Sequence, residues 1–460
     1  MEAAQKRLRD IASTVDVEKD GAGRNRKQLF RMEVALWLFA FVVFLFSPVI
    51  QMTDSKYSML TAESLLYNHT FDLSSYKIRH FKPDLPFNTI RGHNAYQLQM
   101  TNGHKVLYFF SLGTSVLSVP AVAAANLFGI SAATPDGRYN LFGAIIIQRT
   151  LASFLMAVLA WVFFRTASLL LSPAWSMLVA VGGAFGTQVW STASRGMWSH
   201  TWEILLGGIV AYMLLSGEKN GAPLRPILLA TLLSWMFFVR PTGAVPIFLV
   251  TLYVLLFHTR SFVAYALTGA FWLAVFIWIW VSTFGTPLPV YYAPTRNTIS
   301  VFWIGLLCNL VSPSRGLFVY VPVVAFVLYL TARYWRAIPH RRLAVTSLLT
   351  IAVLTFTFAT HRVWWNGQCY GPRFFADALP WFYLLAVLGC AAIPEDRRTL
   401  GSNPMLGVGA VLLVLSIGMN ARGALSWDTA EWNGTRPLQL QERVFDWSQP
   451  QFLAGWVRAH

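Results

Sequence analysis

Asp54 is the residue whose type and position could most directly do chemistry. It directly follows the first long apolar segment, about Glu33–Met52, so it lies where a predicted transmembrane helix leaves the bilayer. A carboxylate at that level still meets water, while neighbouring lipid and protein partly desolvate it. A general base requires this combination. The sequence therefore predicts a site around Asp54, with Tyr57 beside it and Glu63 shortly after.

Further ionisable residues are predicted at the same level, although they come from distant parts of the sequence. Charges at membrane depth cost about 2.5–3.5 kcal/mol each on insertion scales, so they are usually retained for a role. Any single arginine could instead extend to the lipid headgroups. For the whole set, we favour a shared anion-binding cavity. Besides Asp54, its expected members are Glu63, Lys105, Arg149, Arg195, His200, Arg240, Arg315, Arg362, Arg373 and Asp377.

Few acids among many cations suit a phosphate-bearing ligand that is handled by one carboxylate. Arginine matches phosphate oxygens with its planar fork of N–H groups. Ser314-Arg315-Gly316 and Arg240-Pro241-Thr242-Gly243 could add backbone N–H groups at helix starts, or they could be ordinary helix boundaries. The residues predicted to bind the phosphate are Lys105, Arg240, Arg315 and Arg373.

An aromatic cluster precedes Arg373 and Asp377. Trp364, Trp365 and Tyr370 could stack on a sugar or an isoprenoid chain, or could form an interfacial belt. His200 could be a metal ligand or a hydrogen-bond donor. Since no acidic or histidine cluster accompanies it at ligand spacing, a divalent cation is the weaker alternative, and we assign no metal ligand.

Composition predicts an all-α polytopic membrane protein. The 460 residues are 55% hydrophobic and 12% charged, whereas soluble domains contain about 25% charged residues. The formal net charge of +16 fits basic loops beside anionic lipid, so we expect membrane lipids and no nucleic acid as partners. The three cysteines have no paired spacing and imply no disulfide framework.

The alternation of basic loops predicts about eleven spans. Residues 1–31 form a basic tail without an apolar signal-peptide core, so we expect a cytoplasmic tail and a retained first helix. The transmembrane domain is predicted over 32–420, with an outer loop at 53–140 and an outer tail at 421–460. Within the loop, charge alternation favours a helix at Val116–Phe128 that lies on the membrane.

The first outer loop resembles that of GT-C glycosyltransferases. Asp54-Ser55-Lys56-Tyr57, Ala62-Glu63-Ser64-Leu65-Leu66, and Lys105 with Tyr108 before Leu112-Gly113-Thr114 carry this resemblance. Ser312-Pro313-Ser314-Arg315-Gly316, Tyr370-Gly371-Pro372-Arg373 and Asp446-Trp447 are similar to a bacterial subset, which includes arabinofuranosyl- and mannosyltransferase-like proteins and transferases that act on pilins. The chain departs from many relatives near Arg195–His200, where they carry a second acid and here Glu203 lies a turn further on.

The resemblance implies a GT-C-type helix bundle with juxtamembrane helices in the first outer loop. It also implies an inverting enzyme of a bacterial inner membrane, whose site faces the periplasm. The donor would be a polyprenyl-phosphate sugar, arabinofuranose- or mannose-like. The acceptor would be an extracytoplasmic protein such as a pilin, or an envelope glycan or lipid. Asp54 would be the base. Two alternatives stay open: a flippase or transporter for a lipid-linked saccharide, and an enzyme similar to O-antigen ligases.

Overall fold

The computed structural model describes residues 27–78, 97–100, 105–434 and 437–456, and most of the predicted basic tail lies outside them. Within these described ranges, six helical segments are long and apolar enough to cross a membrane. About 20 apolar residues span a bilayer core of roughly 30 Å. These segments are α1 (Lys27–Phe46), α4 (Leu141–Ala167), α10 (Thr259–Phe284), α14 (Arg341–Thr360), the Arg373–Ala391 segment and α16 (Pro404–Leu425). The prediction of an all-α polytopic membrane protein is confirmed.

Other helices complete the bundle. They are α2 (Ser58–Asn68), α3 (Leu112–Leu127), α5 (Pro173–Phe185), α6 (Gln188–Ser191), α7 (Ser199–Asn220), α8 (Pro226–Val239), α9 (Ala244–Phe257), α11 (Phe302–Val311), α12 (Leu317–Tyr320), α13 (Val323–Arg333), α15 (Leu379–Ala391), α17 (Trp427–Glu431) and α18 (Pro437–Arg443). The Arg373–Ala391 segment consists of a 3₁₀ turn, Arg373–Ala378, and α15. A helix occupies each of the eleven predicted spans. The number that cross the bilayer stays a prediction.

The first helix ends earlier than the sequence predicted. The expected span reached Met52, but α1 ends at Phe46 and residues 47–52 are non-helical. Pro48 explains the difference, because proline has no N–H for a helical hydrogen bond and disfavours helical dihedrals at the preceding Ser47. Asp54 therefore lies eight residues beyond the helix end.

Part of the outer loop packs as a small substructure beside the bundle. Helices α2 and α3 contact each other, and a two-stranded antiparallel sheet lies nearby, formed by β1 (Leu98–Met100) and β2 (Val106–Tyr108). Asp72 joins the loop to the sheet, because its Oδ1 accepts from the N–H of Val106 at 2.9 Å. The expected loop helices are thus present, while their position on the membrane stays a prediction.

Helix α15 lies at the centre of the bundle and α10 at its edge. In the Arg373–Ala391 segment 89% of residues are buried, against 11% for α10. On α15, Tyr383 stacks on Phe163 of α4 with ring centroids 3.8 Å apart, and its hydroxyl donates to the Phe163 carbonyl at 2.7 Å. The carboxyl end of α1, the start of α7 and the turn before α15 meet at one face of the bundle, which we call the Asp54 face.

Candidate functional site

The outer loop holds the Asp54 backbone in place. Asp54 lies in the turn between α1 and α2. Its carbonyl accepts from the Tyr108 hydroxyl at 2.6 Å, and the neighbouring Thr53 carbonyl accepts from Gln97 Nε2 at 2.7 Å. Both donors belong to the sheet region, so the sheet sets the position of the Asp54 backbone.

Two predicted pocket residues bind the end of α1. Arg149 donates from Nε to the Leu45 carbonyl at 2.6 Å and from Nη2 to that of Ser47 at 3.2 Å. Buried Arg195 donates to the same Ser47 carbonyl at 2.7 Å and to that of Phe44. The last carbonyls of a helix have no partner within the helix. These arginines supply partners and thereby fix the segment that leads to Asp54.

The Asp54 side chain forms an ion pair with Arg373, whose Nη1 lies 2.7 Å from Oδ2. The two residues are 319 positions apart. The Arg373 guanidinium carbon lies 4.3 Å from the centre of the Trp198 ring, which is a cation–π contact. Arg373 Nε is buried and has no hydrogen-bond acceptor among the described residues. The structure thus brings Asp54 and Arg373 into direct contact, while their predicted roles stay predictions.

A second polar group lies one turn beyond Arg373, around the buried carboxylate of Asp377. His200 Nδ1 lies 2.5 Å from Asp377 Oδ1, and Arg240 Nε donates to Oδ2 at 2.7 Å. Thr242 Oγ1 lies 2.8 Å from the same Oδ2 and 3.2 Å from Glu203 Oε1. Glu203 Oε2 is 3.2 Å from Arg240 Nε. Two carboxylates thus share one guanidinium at the Asp54 face.

This group corrects one expectation from the sequence. His200, Glu203 and Asp377 each offer a ligand atom, and these atoms lie within 4.8 Å of one another. The expectation that no acid accompanies His200 was wrong. The donor set suits a divalent cation, yet Arg240 already contacts both carboxylates and His200 Nδ1 already contacts Asp377. His200 Nε2 and Glu203 Oε2 are nevertheless buried without a hydrogen-bond partner among the described residues, so the group keeps two polar atoms that a ligand could bind.

Arg240 and Arg315 are not free to act as the phosphate ligands that the sequence suggested. Arg240 binds the two carboxylates. Arg315 is fully buried and has five N–H donors, all of which have protein acceptors. These acceptors are the carbonyls of Ser314, Trp365 and Gly367 and the side chains of Asn433 and Gln451. We therefore reassign Arg315 to holding the chain after α16 against the loop at 365–367.

The predicted aromatic pocket packs within the protein. Trp364 lies in a cluster with Trp432 and Val444, residues that follow α16, and its ring is 5.4 Å from that of Trp365. Tyr370 is buried, and its hydroxyl donates to the Met419 carbonyl of α16 at 2.6 Å. These contacts build the Arg315 region, and none of them is a contact to Asp54.

Three other predicted residues have distinct surroundings. Glu63 accepts from the Ala132 N–H at 2.7 Å and from the Ser131 hydroxyl, so it anchors the loop before α4. Tyr57 is buried, and burial raises its pKa to about 12, so its hydroxyl stays protonated at neutral pH. Lys105 is exposed and immediately precedes β2.

Three residues make contacts that the sequence did not predict. The Trp198 ring packs against the Arg373 guanidinium, the Thr242 hydroxyl contacts the carboxylates of Asp377 and Glu203, and the Tyr108 hydroxyl donates to the Asp54 carbonyl. The spacing of His200 and Glu203 was the available signal, because residues three apart lie on one side of a helix. The remaining contacts join segments that are far apart in sequence, so spacing does not reveal them.

Comparisons with known proteins find likenesses among solved structures. No family model matches the sequence, and no curated protein sequence matches it. Among solved structures, the chain is similar to the crystal structure of ArnT from Cupriavidus metallidurans bound to undecaprenyl phosphate. The TM-score is 0.47 at 12% identity, and the match covers 92% of this chain and 73% of that one. A likeness at this level does not assign the chain to a family.

Proposed function

We propose that the chain is an inverting GT-C glycosyltransferase that moves one sugar from a polyprenyl-phosphate donor to an acceptor hydroxyl. The observation that carries this proposal is the Asp54–Arg373 pair. It sets a carboxylate 2.7 Å from a guanidinium whose buried Nε has no acceptor among the described residues. A phosphate oxygen is the kind of acceptor that such a group binds. The resemblance of the outer loop supports the same chemistry.

The proposed reaction requires one base and one cationic group. Asp54 takes the proton from the acceptor hydroxyl as that oxygen forms a bond to the anomeric carbon. The bond from this carbon to the phosphate oxygen breaks, and its electron pair leaves with the polyprenyl phosphate. Arg373 stabilises the charge that develops on the phosphate, which is the type of electrostatic assistance that often dominates catalysis. Since phosphate is a good leaving group, no second carboxylate is needed as an acid.

Lys105 is the second proposed phosphate contact. It is exposed, and it lies three strand residues before Tyr108, which binds the Asp54 backbone. Three strand residues cover about 10 Å. A lysine side chain with three donors suits a mobile phosphate. Arg240 has a supporting role in this scheme, because it holds Asp377 in the turn that begins with Arg373.

The finer assignment follows the resemblance of the sequence. We propose an arabinofuranose- or mannose-like donor sugar, and an acceptor that is a pilin-like protein or an envelope glycan or lipid. The chain would lie in a bacterial inner membrane with the Asp54 face toward the periplasm. The reaction as written requires no metal ion.

The test uses the full chain in proteoliposomes with polyprenyl-phosphate arabinofuranose or mannose. Mass spectrometry follows the release of polyprenyl phosphate and the formation of glycosylated product. We expect turnover by the native chain and its loss in Asp54→Asn. Asp136→Asn is the matched control, because Asp136 is an exposed acid in the same outer loop. Near-normal transfer by Asp54→Asn would reject Asp54 as the base.

The same vesicles separate the two alternatives. Net movement of labelled lipid across the bilayer without glycosylated product would support a flippase. Consumption of a diphosphate-linked glycan, with no use of the monophosphate donors, would support an enzyme similar to O-antigen ligases. Either result would overturn the proposed reaction.

A further inference from the structure

A large apolar cavity lies away from Asp54, between α5, α13, α15 and α16. Its volume is about 370 Å³. Its lining extends from Leu379, at the start of α15, to Arg398 and Leu400 beyond the other end of that helix. An apolar cavity of about 150 Å³ already accepts benzene. This cavity is therefore large enough for a segment of hydrocarbon chain.

The polar side chains in the lining bind helix carbonyls. Thr187 donates to the Gly183 carbonyl at 2.6 Å, and Tyr383 donates to that of Phe163 at 2.7 Å. Most other lining residues are aliphatic or aromatic. A sugar or a headgroup would lose its hydrogen bonds to water in such surroundings, at a cost of several kcal/mol. The cavity thus suits a hydrocarbon chain.

The cavity is bordered by side chains at the outer surface of the bundle. Leu178 of α5 is 47% exposed, and Val414 of α16 is 67% exposed. These apolar side chains belong to apolar helices, so they would face lipid in a membrane. A chain could therefore enter sideways from the bilayer.

The end of the cavity opposite to the Asp54 face is basic. Leu330 of α13 lies against Gly389 of α15, so the ends of these two helices are neighbours. Four arginines and two acids follow at or just after these ends. They are Arg333, Arg336, Arg397 and Arg398, with Glu395 and Asp396. Arg398 itself lines the cavity, and it also donates to the Ile393 and Ala391 carbonyls.

We propose that the cavity binds an acyl chain of an anionic phospholipid from the leaflet opposite to the Asp54 face. The headgroup phosphate contacts Arg333 and Arg397, which are exposed and whose guanidiniums match phosphate oxygens. The four arginines outnumber the two acids there, which favours an anionic headgroup over a zwitterionic one. The lipid is separate from the glycosyl donor. The reacting phosphate belongs at Asp54, while α15 alone, at 13 residues, places about 20 Å between the two levels.

The test is native mass spectrometry of the full chain in detergent, titrated with phosphatidylglycerol and with phosphatidylcholine of the same acyl chains. We expect one phosphatidylglycerol to bind at least tenfold more tightly than phosphatidylcholine. Ala386→Phe and Ala410→Phe, which fill the cavity from α15 and α16, should each weaken binding of both lipids. Ala270→Phe, on the lipid-facing side of α10, is the matched control and should bind normally.

A second pair of variants tests the headgroup without changing the packing of the cavity. Arg333→Gln with Arg397→Gln should remove most of the preference for phosphatidylglycerol, while Arg260→Gln, an exposed arginine elsewhere, should retain it. Equal binding of the two lipids by the native chain would overturn the proposal, as would undiminished binding by both filled variants. Recovery of polyprenyl phosphate from the cavity in place of phospholipid would also overturn it. Transfer activity enters none of these readouts, so they are independent of the proposed function.

Discussion

Arg240 donates from Nε to Oδ2 of Asp377 over 2.7 Å, and the two residues are 137 positions apart. Arg240 directly follows α8, and Asp377 lies in the turn before α15. The pair therefore joins the end of α8 to the Arg373–Ala391 segment. That same turn begins with Arg373, which binds Asp54. The position of Arg373 thus depends on the Arg240–Asp377 contact, in which Arg373 itself takes no part.

Removing one partner of this pair should destabilise the protein more than removing both. Breaking a buried pair leaves an uncompensated charge and costs about 3–5 kcal/mol, whereas a matched apolar replacement is often neutral. We expect Arg240→Met, which leaves the carboxylates of Asp377 and Glu203 without their shared guanidinium, to lower the melting temperature sharply. Arg240→Met with Asp377→Leu leaves only Glu203 without it and should recover part of the loss. A thiol-reactive dye can report unfolding, because the three cysteines are buried. A double variant as unstable as the single one would contradict this prediction.

Arg373→Lys should impair transfer although it conserves the charge. Lysine lacks the planar guanidinium that stacks on Trp198 and contacts Asp54. It also lacks the paired N–H groups that we propose bind the donor phosphate. We expect kcat/KM for the donor to fall at least tenfold, or about 1.4 kcal/mol of transition-state stabilisation. Steady-state kinetics with varied donor measures it.

The matched control for this variant is Arg422→Lys. Arg422 also stacks on a tryptophan, with its guanidinium carbon 4.0 Å from the centre of the Trp456 ring, but it donates to carbonyls of the chain after α16. Its kinetics should match those of the native chain. Equal losses in both variants would point to a general requirement for arginine stacking.

Arg315→Lys should loosen the chain after α16. Lysine cannot replace five donors fixed in one plane, so some of their acceptors lose their partners. We expect limited proteolysis to cut between residues 427 and 456 at least ten times faster than in the native chain. Arg443→Lys is the control. The guanidinium carbons of Arg315 and Arg443 both lie near the centre of the Trp432 ring, at 5.5 Å and 4.4 Å. Arg443 also donates to a single carbonyl, that of Trp432. Unchanged cleavage of Arg315→Lys would argue against this assignment.

His361 should make stability decline in acid. Burial lowers its pKa to about 3, with Arg296 adding to the shift, and its Nδ1 accepts the Val363 N–H at 3.1 Å. In the unfolded chain, the pKa of His361 is near 6.5, so the unfolded state binds more protons than the folded state between the two pKa values. The stability that is present above pH 6.5 is therefore lost as the pH falls. We expect a smaller fall in melting temperature from pH 7 to pH 5 in His361→Gln. His69 is exposed, so His69→Gln should show the same fall in melting temperature as the native chain. An identical fall in the native chain, His361→Gln and His69→Gln would refute the effect of His361.

The sequence was most informative where a residue type and a helix end coincide. Asp54 could be placed after the first helix, and Arg373 could be placed at its level, because apolar run lengths and basic loops define the ends of spans. The early end of α1 was missed because the effect of Pro48 was overlooked. The role of Arg149, Arg195 and Arg315 could not be predicted. Their acceptors include backbone carbonyls, which every residue carries and no pattern marks.

The buried group around Asp377 was only partly predictable. His200 and Glu203 share one side of α7, which their spacing reveals. Asp377 and Arg240 come close to them only because the turn before α15 and helix α8 each pack against α7. A charge in the sequence looks the same whether it will bind a ligand or a neighbouring side chain. Arg240 and Arg373 both lie at the Asp54 face, but Arg240 contacts two carboxylates there, and the phosphate-binding role of Arg373 stays a prediction.

The contacts of Arg315 have a consequence for biosynthesis. Two of its acceptors, Asn433 and Gln451, follow the last long helix, and both are made more than a hundred residues after Arg315. Until they emerge from the ribosome, two of its donors lack their final acceptors. The Arg315 region would therefore be completed late in synthesis, after the membrane helices are in place. A ribosome that stalls before residue 433 would leave a bundle with a buried, partly unsatisfied arginine, a feature by which quality-control proteases could distinguish an unfinished chain.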